Sequence, residues 1–272
     1  MVAAKPFIKW AGGKRQLLNS LLSQAPESFN TYHEFFIGGG ALFFELFNQG
    51  RIKNAVLADL NPRLMNAYEV VKRKPTGLIE ELKKRKYSNT SEAFYKIREW
   101  EPLDSVEQAA RFIYLNKTAF NGLYRENKSG KFNVPFGRYK NPKIVDVEGI
   151  RNASRALQKA KLFCGDFSEI TRLAKKDDFA YFDPPYLPVT KTASFTAYTS
   201  QSFTIDDQIR LKETFTSLAK NGIKVMLSNS HTPIIDELFS DSEKSTIKAN
   251  RMINCKSDKR GPVNELLIRQ GY

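Results

Sequence analysis

The chain has 272 residues, of which 41% are hydrophobic and 12% aromatic, so it can bury the core of one large α/β domain or of a domain with a sizeable insertion. Its 43 Lys and Arg residues outnumber 29 Asp and Glu, and the formal net charge of +14 favours a polyanionic partner such as nucleic acid over simple solubility. Two cysteines and two histidines argue against a disulfide framework, a zinc quartet and histidine-based catalysis, and no apolar segment is long enough to span a bilayer. We therefore expect a cytoplasmic protein that holds no metal.

The N-terminal segment 5–15 combines glycines, a lysine and an aromatic residue. Gly12 and Gly13 allow the backbone to approach a ligand closely. Lys14 can reach an anionic group, and Trp10 offers a packing face. A loop that is tied down by a core tryptophan would show the same residues, so this segment alone does not decide between the two interpretations.

Residues 32–47 predict a strand, a glycine turn and a helix in succession. The strand covers Tyr32 to Ile37, the turn is Gly38-Gly39-Gly40, and an apolar helix runs from Ala41 to Phe47. This succession opens many nucleotide-binding units, because the N–H groups at the start of the helix point at the ligand. Phe43 fills the place of the third glycine in the dinucleotide fingerprint, so a ribose-bearing ligand without phosphates is favoured.

Two further predicted strands lead directly into an acidic residue. The strand over residues 55–58 is followed by Asp59, about 20 residues after the glycines, where a carboxylate can accept hydrogen bonds from both hydroxyls of a ribose. The strand over residues 162–165 is followed by Asp166. Acids at the carboxyl ends of strands lie where open α/β folds bind their ligands.

From Asn61 to about Asn141 the sequence is dominated by helices rich in Lys and Arg, and it ends in a loop or hairpin over residues 117–140. Asn121-Gly122 and Ser129-Gly130 are turn signals in this stretch. Its mixture of Arg, Lys, Asn and aromatic residues suits base edges, phosphates and unstacked bases, although a charged surface hairpin would look similar. Helices are predicted over residues 62–74, 78–86, 91–100 and 106–116.

The sequence Phe179-Ala-Tyr-Phe-Asp-Pro-Pro-Tyr186 joins a buried strand to a carboxylate. The strand is expected to end at Asp183, because Pro184 and Pro185 have no N–H with which to continue a ladder. The Pro184 carbonyl is then left free beside the carboxylate, and the ring of Tyr186 lies next to both acceptors. A flat group that carries an NH₂, such as a nucleobase, suits this arrangement; a strand end followed by a proline-rich turn is the simpler alternative.

The rest of the chain continues the α/β pattern. Residues 187–202, rich in Thr and Ser, predict a mobile loop beside the site. A helix over residues 206–220 should end near Gly222, and strands are predicted over residues 223–227 and 265–268.

Seven short motifs together identify a family resemblance. In chain order they are Lys9-Trp-Ala-Gly-Gly-Lys14, Phe36-Ile-Gly-Gly-Gly40, Ala58-Asp-Leu-Asn61, Asn121-Gly-Leu-Tyr-Arg125, Phe132-Asn-Val-Pro-Phe-Gly-Arg-Tyr139, Gly165-Asp-Phe167 and Asp183-Pro-Pro-Tyr186. Over nearly the whole chain they resemble the Dam type of DNA adenine-N6 methyltransferases, the alpha-ordered group of S-adenosylmethionine-dependent enzymes. One departure is Phe35, which stands where the family usually has a proline.

The resemblance implies a Rossmann-like class I methyltransferase fold, α/β with a mostly parallel sheet of seven strands. Residues 1–60 and 146–272 would form the catalytic domain, and residues 61–145 a helical and β-hairpin insertion that recognises the DNA target. The implied partners are S-adenosylmethionine and double-stranded DNA, with a cognate restriction endonuclease as an optional companion. The protein is expected to act as a monomer.

The resemblance also carries residue roles. Asp59 would bind the ribose of the cofactor, and Asp166 its adenine edge. The implied S-adenosylmethionine site comprises Trp10, Lys14, Gly38, Gly40, Asp59, Asp166 and Asp183.

Adenine N6 is a poor nucleophile because its lone pair is delocalised into the ring. Hydrogen bonds from the amine to Asp183 and to the Pro184 carbonyl would favour a pyramidal nitrogen, and the carboxylate would stabilise the positive charge that develops there. The base must be flipped out of the duplex to reach this site, where Tyr186 would stack on it. Two alternatives are a cytosine-N4 methyltransferase, which typically has Ser in place of Asp183, and a DNA-binding module that keeps the fold only as a scaffold.

The hairpin closely resembles that of family members that methylate the adenine of GATC. GAT followed by a different 3′ half is the alternative target, since most of the contacts named below read only GAT. Arg125 would bind guanine O6 and N7, while Leu123 and Pro135 would pack on the thymine methyl group. Phe120 and Asn121, placed at the hairpin tip, would fill the gap left by the flipped base. The remaining predicted DNA contacts, mainly to phosphates or flanking bases, are Lys9, Asn133, Arg138 and Tyr139.

Overall fold

The computed structural model describes residues 2–10, 12–127, 129–186, 203–250 and 262–272. The predicted mobile loop over residues 187–202 lies outside the described residues, and so does Cys255. Within the described residues, seven strands form one sheet. They are β1 (Thr31–Glu34), β2 (Asn54–Asp59), β3 (Ala160–Cys164), β4 (Phe179–Phe182), β5 (Lys224–Ser230), β6 (Glu243–Asn250) and β7 (Pro262–Gln270).

The order across the sheet is β3-β2-β1-β4-β5-β7-β6. Neighbouring strands are parallel except at β7, which is antiparallel to both β5 and β6. The predicted α/β fold with a mostly parallel seven-stranded sheet is therefore confirmed. The strand order reverses between β1 and β4, and open α/β sheets bind ligands outside the carboxyl ends of the strands at such a point.

The helices follow local sequence signals closely. Asn61 caps one helix with its side chain, and Pro62 occupies the first position, where a missing N–H costs nothing. Thr204 and Asp207 form a capping box, and Gly222, with φ of 76°, follows the end of the same helix as predicted. The helices of the described residues are α1 (Leu18–Gln24), α2 (Ala41–Asn48), α3 (Pro62–Arg73), α4 (Pro75–Leu82), α5 (Ser91–Glu99), α6 (Ser105–Thr118), α7 (Val147–Leu157), α8 (Phe167–Ile170), α9 (Ile205–Lys220) and α10 (Pro233–Leu238).

Strand β4 lies at the centre of the sheet, between β1 and β5, and all of its residues are buried. Phe179 and Tyr181 belong to the hydrophobic cluster on one face, whereas Ala180 and Phe182 belong to the cluster on the other. A strand that is covered on both faces needs a continuous apolar run rather than an alternating pattern. This packing fixes the next residue, Asp183, at the carboxyl edge of the sheet.

The predicted insertion, residues 61–145, contains α3 to α6 and the hairpin. Its buried hydrophobic residues, among them Leu64 and Phe112, belong to the same hydrophobic cluster as Tyr32 and Tyr181 of the sheet. The core on one face of the sheet thus continues into the insertion without a break, and its separation as a recognition domain stays a prediction.

The hairpin after α6 is present. The N–H of Asn133 donates to the Arg125 carbonyl at 3.0 Å, and the N–H of Asn127 donates to the Lys131 carbonyl at 2.8 Å. A further bond of 2.9 Å from the Gly130 N–H to the Asn127 carbonyl closes the turn. The tip of the hairpin therefore lies near residues 127 and 130.

Phe120 and Asn121 lie at the base of the hairpin, and the prediction that they form its tip is wrong. They belong to a 3₁₀ turn, Phe120–Gly122, that directly follows α6. The N–H of Phe120 donates to the Pro135 carbonyl at 2.9 Å, which ties this turn to the returning strand. Asn121 has a φ of 53°, a left-handed conformation that asparagine tolerates better than most residues and that allows the chain to leave the helix abruptly.

Candidate active site at the carboxyl edge of the sheet

Asp183 lies directly after β4, and one of its carboxylate oxygens already has two partners. The ammonium nitrogen of Lys14 is 2.7 Å from Oδ1, and the Ser228 hydroxyl donates to the same oxygen at 3.0 Å. Ser228 lies in β5, the neighbour of β4, and its hydroxyl is 2.8 Å from that of Tyr181. Among the described residues, none donates to Asp183 Oδ2.

Lys14 is a buried cation, with only 6% of its surface exposed. Burial alone would lower the pKa of Lys14, but the carboxylates of Asp183 and Glu265 more than offset this and hold the pKa above its ordinary value. Glu265 Oε2 is 3.9 Å from the Lys14 nitrogen. The sequence assigns both Lys14 and Asp183 to the cofactor site, and in the structure the Lys14 ammonium group contacts the Asp183 carboxylate.

Tyr186 completes this cluster. Its hydroxyl donates to Glu265 Oε2 at 2.8 Å, and its ring centroid lies 4.9 Å from the Lys14 ammonium nitrogen. Burial, together with the negative charges of Asp183 and Glu265, raises the pKa of the Tyr186 hydroxyl well above its ordinary value. The hydroxyl therefore remains protonated and acts as a donor.

The glycine turn between β1 and α2 contacts Trp10 and Tyr68. Gly38 and Gly40 have φ of 44° and 67°. A Cβ on Gly38 would lie 2.6 Å from the indole ring of Trp10, and a Cβ on Gly40 would lie 2.9 Å from the Tyr68 hydroxyl, which donates to the Gly38 carbonyl at 3.0 Å. The turn therefore requires glycine on steric as well as conformational grounds.

Asp59 ends β2 beside this turn. Its Oδ2 accepts a hydrogen bond from the Gly38 N–H at 3.1 Å, and its Oδ1 accepts one from the Asn61 N–H at 3.0 Å. Burial raises the pKa of Asp59 to about 6, in spite of these backbone hydrogen bonds. Each carboxylate oxygen has two lone pairs, so both can accept a further hydrogen bond from a ligand.

Asp166 has protein partners of its own. It accepts hydrogen bonds from the N–H and the hydroxyl of Ser168 at 3.0 and 2.6 Å, and the guanidinium of Arg210 forms two more at 2.8 and 3.1 Å. Burial would raise the pKa of Asp166, but these bonds outweigh it and hold the pKa below the ordinary value. A ligand would therefore meet a carboxylate that is already oriented by Ser168 and Arg210.

The predicted DNA contacts lie on the hairpin and on the N-terminal segment beside it. Arg125 is held by Asn133, whose side-chain oxygen accepts from Nε at 2.7 Å. The ammonium nitrogen of Lys9 lies 4.3 Å from the ring centroid of Tyr139. Phe120 is 50% exposed. Asn121, Pro135 and Arg138 are also exposed, whereas Leu123 is partly buried.

Trp10 links the two groups of predicted residues. Its ring stacks on that of Tyr124 in the hairpin, with centroids 5.8 Å apart and planes 21° from parallel, and the same ring lies against Gly38. The backbone of Lys9 is fastened to the Asn116 side chain of α6 by bonds of 2.8 and 2.6 Å. The segment before α1 thus joins the glycine turn to the hairpin.

A family model described as the D12 class of N6 adenine-specific DNA methyltransferases matches residues 10–253. The chain belongs to this family. The predicted transfer of a methyl group to adenine N6 of DNA is thereby confirmed, and the cytosine-N4 and non-catalytic alternatives are not supported.

Curated relatives of this methyltransferase cover nearly its whole length. It is 44% identical to the type II methyltransferase M.MjaIII of Methanocaldococcus jannaschii, over 97% of this chain and 98% of that protein. Type II methyltransferase M1.LlaDCHI of Lactococcus lactis subsp. cremoris is also 44% identical, over 97% and 94%. The DNA adenine methylase of Escherichia coli K12 is 34% identical, over 97% and 94%.

S-adenosylmethionine, the methyl donor of this methyltransferase, fits the residues at the carboxyl edge. It carries a ribose diol and a positively charged sulfonium group, and the edge supplies the carboxylates of Asp59 and Asp183. The glycine turn leaves no room for a Cβ at Gly38 or Gly40, because Trp10 and Tyr68 fill those positions. Carboxylate acceptors at this edge suit a ribose diol and a sulfonium cation, whereas they would repel a pyrophosphate.

Sequence motifs missed three residues of the cluster: Tyr181, Ser228 and Glu265. Tyr181 was assigned only to the core strand, although its hydroxyl bonds to Ser228. Glu265 stands at the beginning of β7, whereas an acid that ends a strand is the usual signal; β7 is antiparallel, so its beginning meets the ends of the parallel strands.

Within the described ranges, no helix is long and apolar enough to cross a membrane, and no group of His, Cys, Asp and Glu side chains could hold a metal ion.

Proposed function

We propose that this adenine-N6 DNA methyltransferase modifies GATC and that Asp183 is its catalytic carboxylate. The observation that supports the catalytic role is the unequal environment of the two Asp183 oxygens. Oδ1 is held by Lys14 and Ser228, and among the described residues nothing donates to Oδ2. Oδ2 and the Pro184 carbonyl are then two adjacent acceptors for the two hydrogens of the target amine.

Lys14 and Ser228 orient the Asp183 carboxylate before the substrate arrives. A fixed acceptor aimed at the position where positive charge develops needs no reorganisation during the reaction. Such electrostatic preorganisation is usually the largest single contribution to the rate enhancement of an enzyme. As the amine nitrogen becomes cationic, Asp183 stabilises it and can take up its proton at Oδ2. Tyr186 provides the aromatic face on which the flipped adenine stacks.

S-adenosylmethionine supplies an electrophilic methyl group on a sulfonium cation. Asp59 would hold the ribose hydroxyls, Asp166 the adenine edge, and the turn of Gly38 and Gly40, with Trp10 behind it, the body of the cofactor. Lys14, although assigned to this site by sequence, is better placed to act through Asp183.

Asp59→Ala is expected to weaken S-adenosylmethionine binding by at least about tenfold, because each hydrogen bond to a carboxylate contributes about 1.5–3 kcal/mol. Binding should also weaken as the pH falls through about 6, where the Asp59 carboxylate becomes protonated. Titration calorimetry over a range of about pH 5 to 8 measures both effects. Asp104→Ala, which removes an acid that caps α6, serves as the control; an unchanged dissociation constant for Asp59→Ala would contradict the ribose assignment.

The target sequence is proposed from the hairpin. Arg125 can present its guanidinium to guanine, with Asn133 fixing the Nε side at 2.7 Å. Leu123 and Pro135 can contact the thymine methyl group. Phe120 and Asn121, at the base of the hairpin and exposed, would fill the space left by the flipped base.

Arg125→Ala is expected to relax the choice of base at the guanine that it contacts by about 1–3 kcal/mol, since a bidentate contact is lost. The measurement compares methylation rates on duplexes that carry GATC or a single substitution in it. Arg138→Ala removes the same charge from an exposed position of the hairpin, and it should weaken binding to all duplexes alike. If Arg125→Ala and Arg138→Ala change the substrate ranking equally, Arg125 does not read the base.

The remaining partners follow from the family and the charge. We propose that the protein is a monomer in the cytoplasm and that its formal net charge of +14 attracts it to double-stranded DNA. Two of the relatives are named type II methyltransferases, which supports a cognate restriction endonuclease as a companion.

A further inference from the structure

We propose that Glu265 is a positioning residue that fixes the ring of Tyr186 for stacking on the target base; this inference rests on the function proposed above. The hydroxyl of Tyr186 donates to Glu265 Oε2 at 2.8 Å, and the Glu265 side chain is only 13% exposed. A hydrogen bond to a carboxylate in such an environment is among the stronger kinds in proteins.

The topology explains why a residue so far along the chain reaches this site. In the antiparallel register of β5 and β7, Glu265 pairs with Ser230, two residues after Ser228. The beginning of β7 therefore lies at the same edge as Asp183. Glu265 has a rigid base there, because β7 is paired on both sides, with β5 and with β6.

Tyr186 needs such support because it follows two prolines beyond the end of β4 and its own backbone belongs to no strand. Glu265 holds the far end of its ring, and the Lys14 ammonium lies 4.9 Å from the ring centroid. Stacking depends on the plane of the ring, and both contacts act on that plane. Glu265 also lies 3.9 Å from the Lys14 nitrogen, so a single carboxylate links the stacking residue to the cation that orients Asp183.

The test measures two properties of variant proteins. The first is the single-turnover rate of methyl transfer at saturating S-adenosylmethionine and GATC duplex. The second is the emission of a duplex with 2-aminopurine in place of the target adenine, which reports how the flipped base is stacked. Glu265→Ala removes the acceptor, Glu265→Gln keeps an acceptor oxygen, and Tyr186→Phe keeps the ring but removes the donor.

Glu265→Ala is expected to lower the transfer rate about tenfold, as for the loss of one strong hydrogen bond, and to change the 2-aminopurine emission. Glu265→Gln should stay within about threefold of the parent, and affinity for S-adenosylmethionine should change less than about threefold in both. In the Tyr186→Phe background, Glu265→Ala should have little further effect, because residues that act through one contact are not additive.

A purely structural Glu265 would lower the melting temperature while leaving the transfer rate of folded Glu265→Ala and its 2-aminopurine emission at the parental values. That result, or an undiminished effect of Glu265→Ala in the Tyr186→Phe background, would overturn the inference while leaving the proposed function intact. A parent protein that neither methylates the GATC duplex nor changes the 2-aminopurine emission would overturn both.

Discussion

Asp183→Ala is expected to lower the single-turnover rate of methyl transfer by about 10²–10³ or more, while DNA binding is largely retained. Removal of a preorganised group that stabilises developing charge lowers the rate of an enzyme by about this factor. In the function proposed above, DNA binding depends on the hairpin and on the basic surface, which the substitution does not touch. Transfer within about tenfold of the parent rate would contradict the catalytic role of Asp183.

The control for this variant concerns Lys14, which would lose its 2.7 Å partner and remain buried. An uncompensated buried charge is destabilising, so Asp183→Ala could lose activity through disorder of Lys14 alone. Combining it with Lys14→Met removes both charges and should restore stability without restoring transfer. Recovery of transfer in the double variant would show that Asp183 is not itself required.

Asp178→Ala is expected to destabilise the fold by about 3–5 kcal/mol, because several donors lose their acceptor at once and each one left buried and unsatisfied costs about 1–3 kcal/mol. Asp178 Oδ2 lies 2.9 Å from Nε2 of His33, which is fully buried, and the carboxylate also accepts backbone N–H bonds from Thr31 and Lys175, each at 2.9 Å. These bonds join the start of β1 to the start of β4. Chemical denaturation at pH 7 measures the change in the free energy of unfolding.

The same pair predicts a pH dependence. Burial would raise the pKa of Asp178, but the hydrogen bonds from His33 and the backbone hold it below the ordinary value. The carboxylate therefore stabilises the fold above the unfolded-state pKa of about 3.9, and this stabilisation is lost as the pH falls through the lower folded-state pKa. Asp178→Ala should abolish that part of the acid transition. Asp206→Ala, at an exposed position in α9, is the matched control and should change stability by less than about 1 kcal/mol; equal losses in both variants would contradict the role of the pair.

Much of the fold was predictable because the deciding interactions are local or periodic. The apolar run at 179–182 predicted β4 with the observed bounds, since a strand covered on both faces must be continuously apolar. The capping residue Asn61 and the proline after it similarly marked the start of α3. The prediction of a helix over residues 206–220 differs from α9 only by the first residue, Ile205.

Strand β6, by contrast, was not predicted. Its sequence, Glu-Lys-Ser-Thr-Ile-Lys-Ala-Asn, is polar and charged, because it lies at the edge of the sheet, where charged residues protect unpaired backbone groups. The strand order β5-β7-β6 could not be predicted from the sequence either. The late strand predicted at residues 265–268 is part of β7, but nothing local shows that it inserts between β5 and β6.

At the site, too, local features were predictable from the sequence and long-range contacts were not. Sequence motifs placed Asp183, Asp59 and the glycines correctly at the carboxyl edge. They could not pair Lys14 with Asp183, nor bring Glu265 to Tyr186, because these contacts join residues 169 and 79 positions apart through the sheet. Phe120 and Asn121 were misplaced for a similar reason: Asn-Gly is a turn signal, but the pairing of flanking residues decides which turn becomes the tip.

The most direct test is to express the protein in a host that lacks adenine methylation and to analyse the host DNA. We expect mass spectrometry of the nucleosides to show N6-methyladenine, and nucleases that are blocked by methylated GATC to leave the DNA uncut. DNA from cells that express Asp183→Ala should contain no methylated adenine and should be cut fully. N4-methylcytosine in the digest would contradict adenine transfer, and N6-methyladenine in DNA that is still fully cut at GATC would contradict the proposed target.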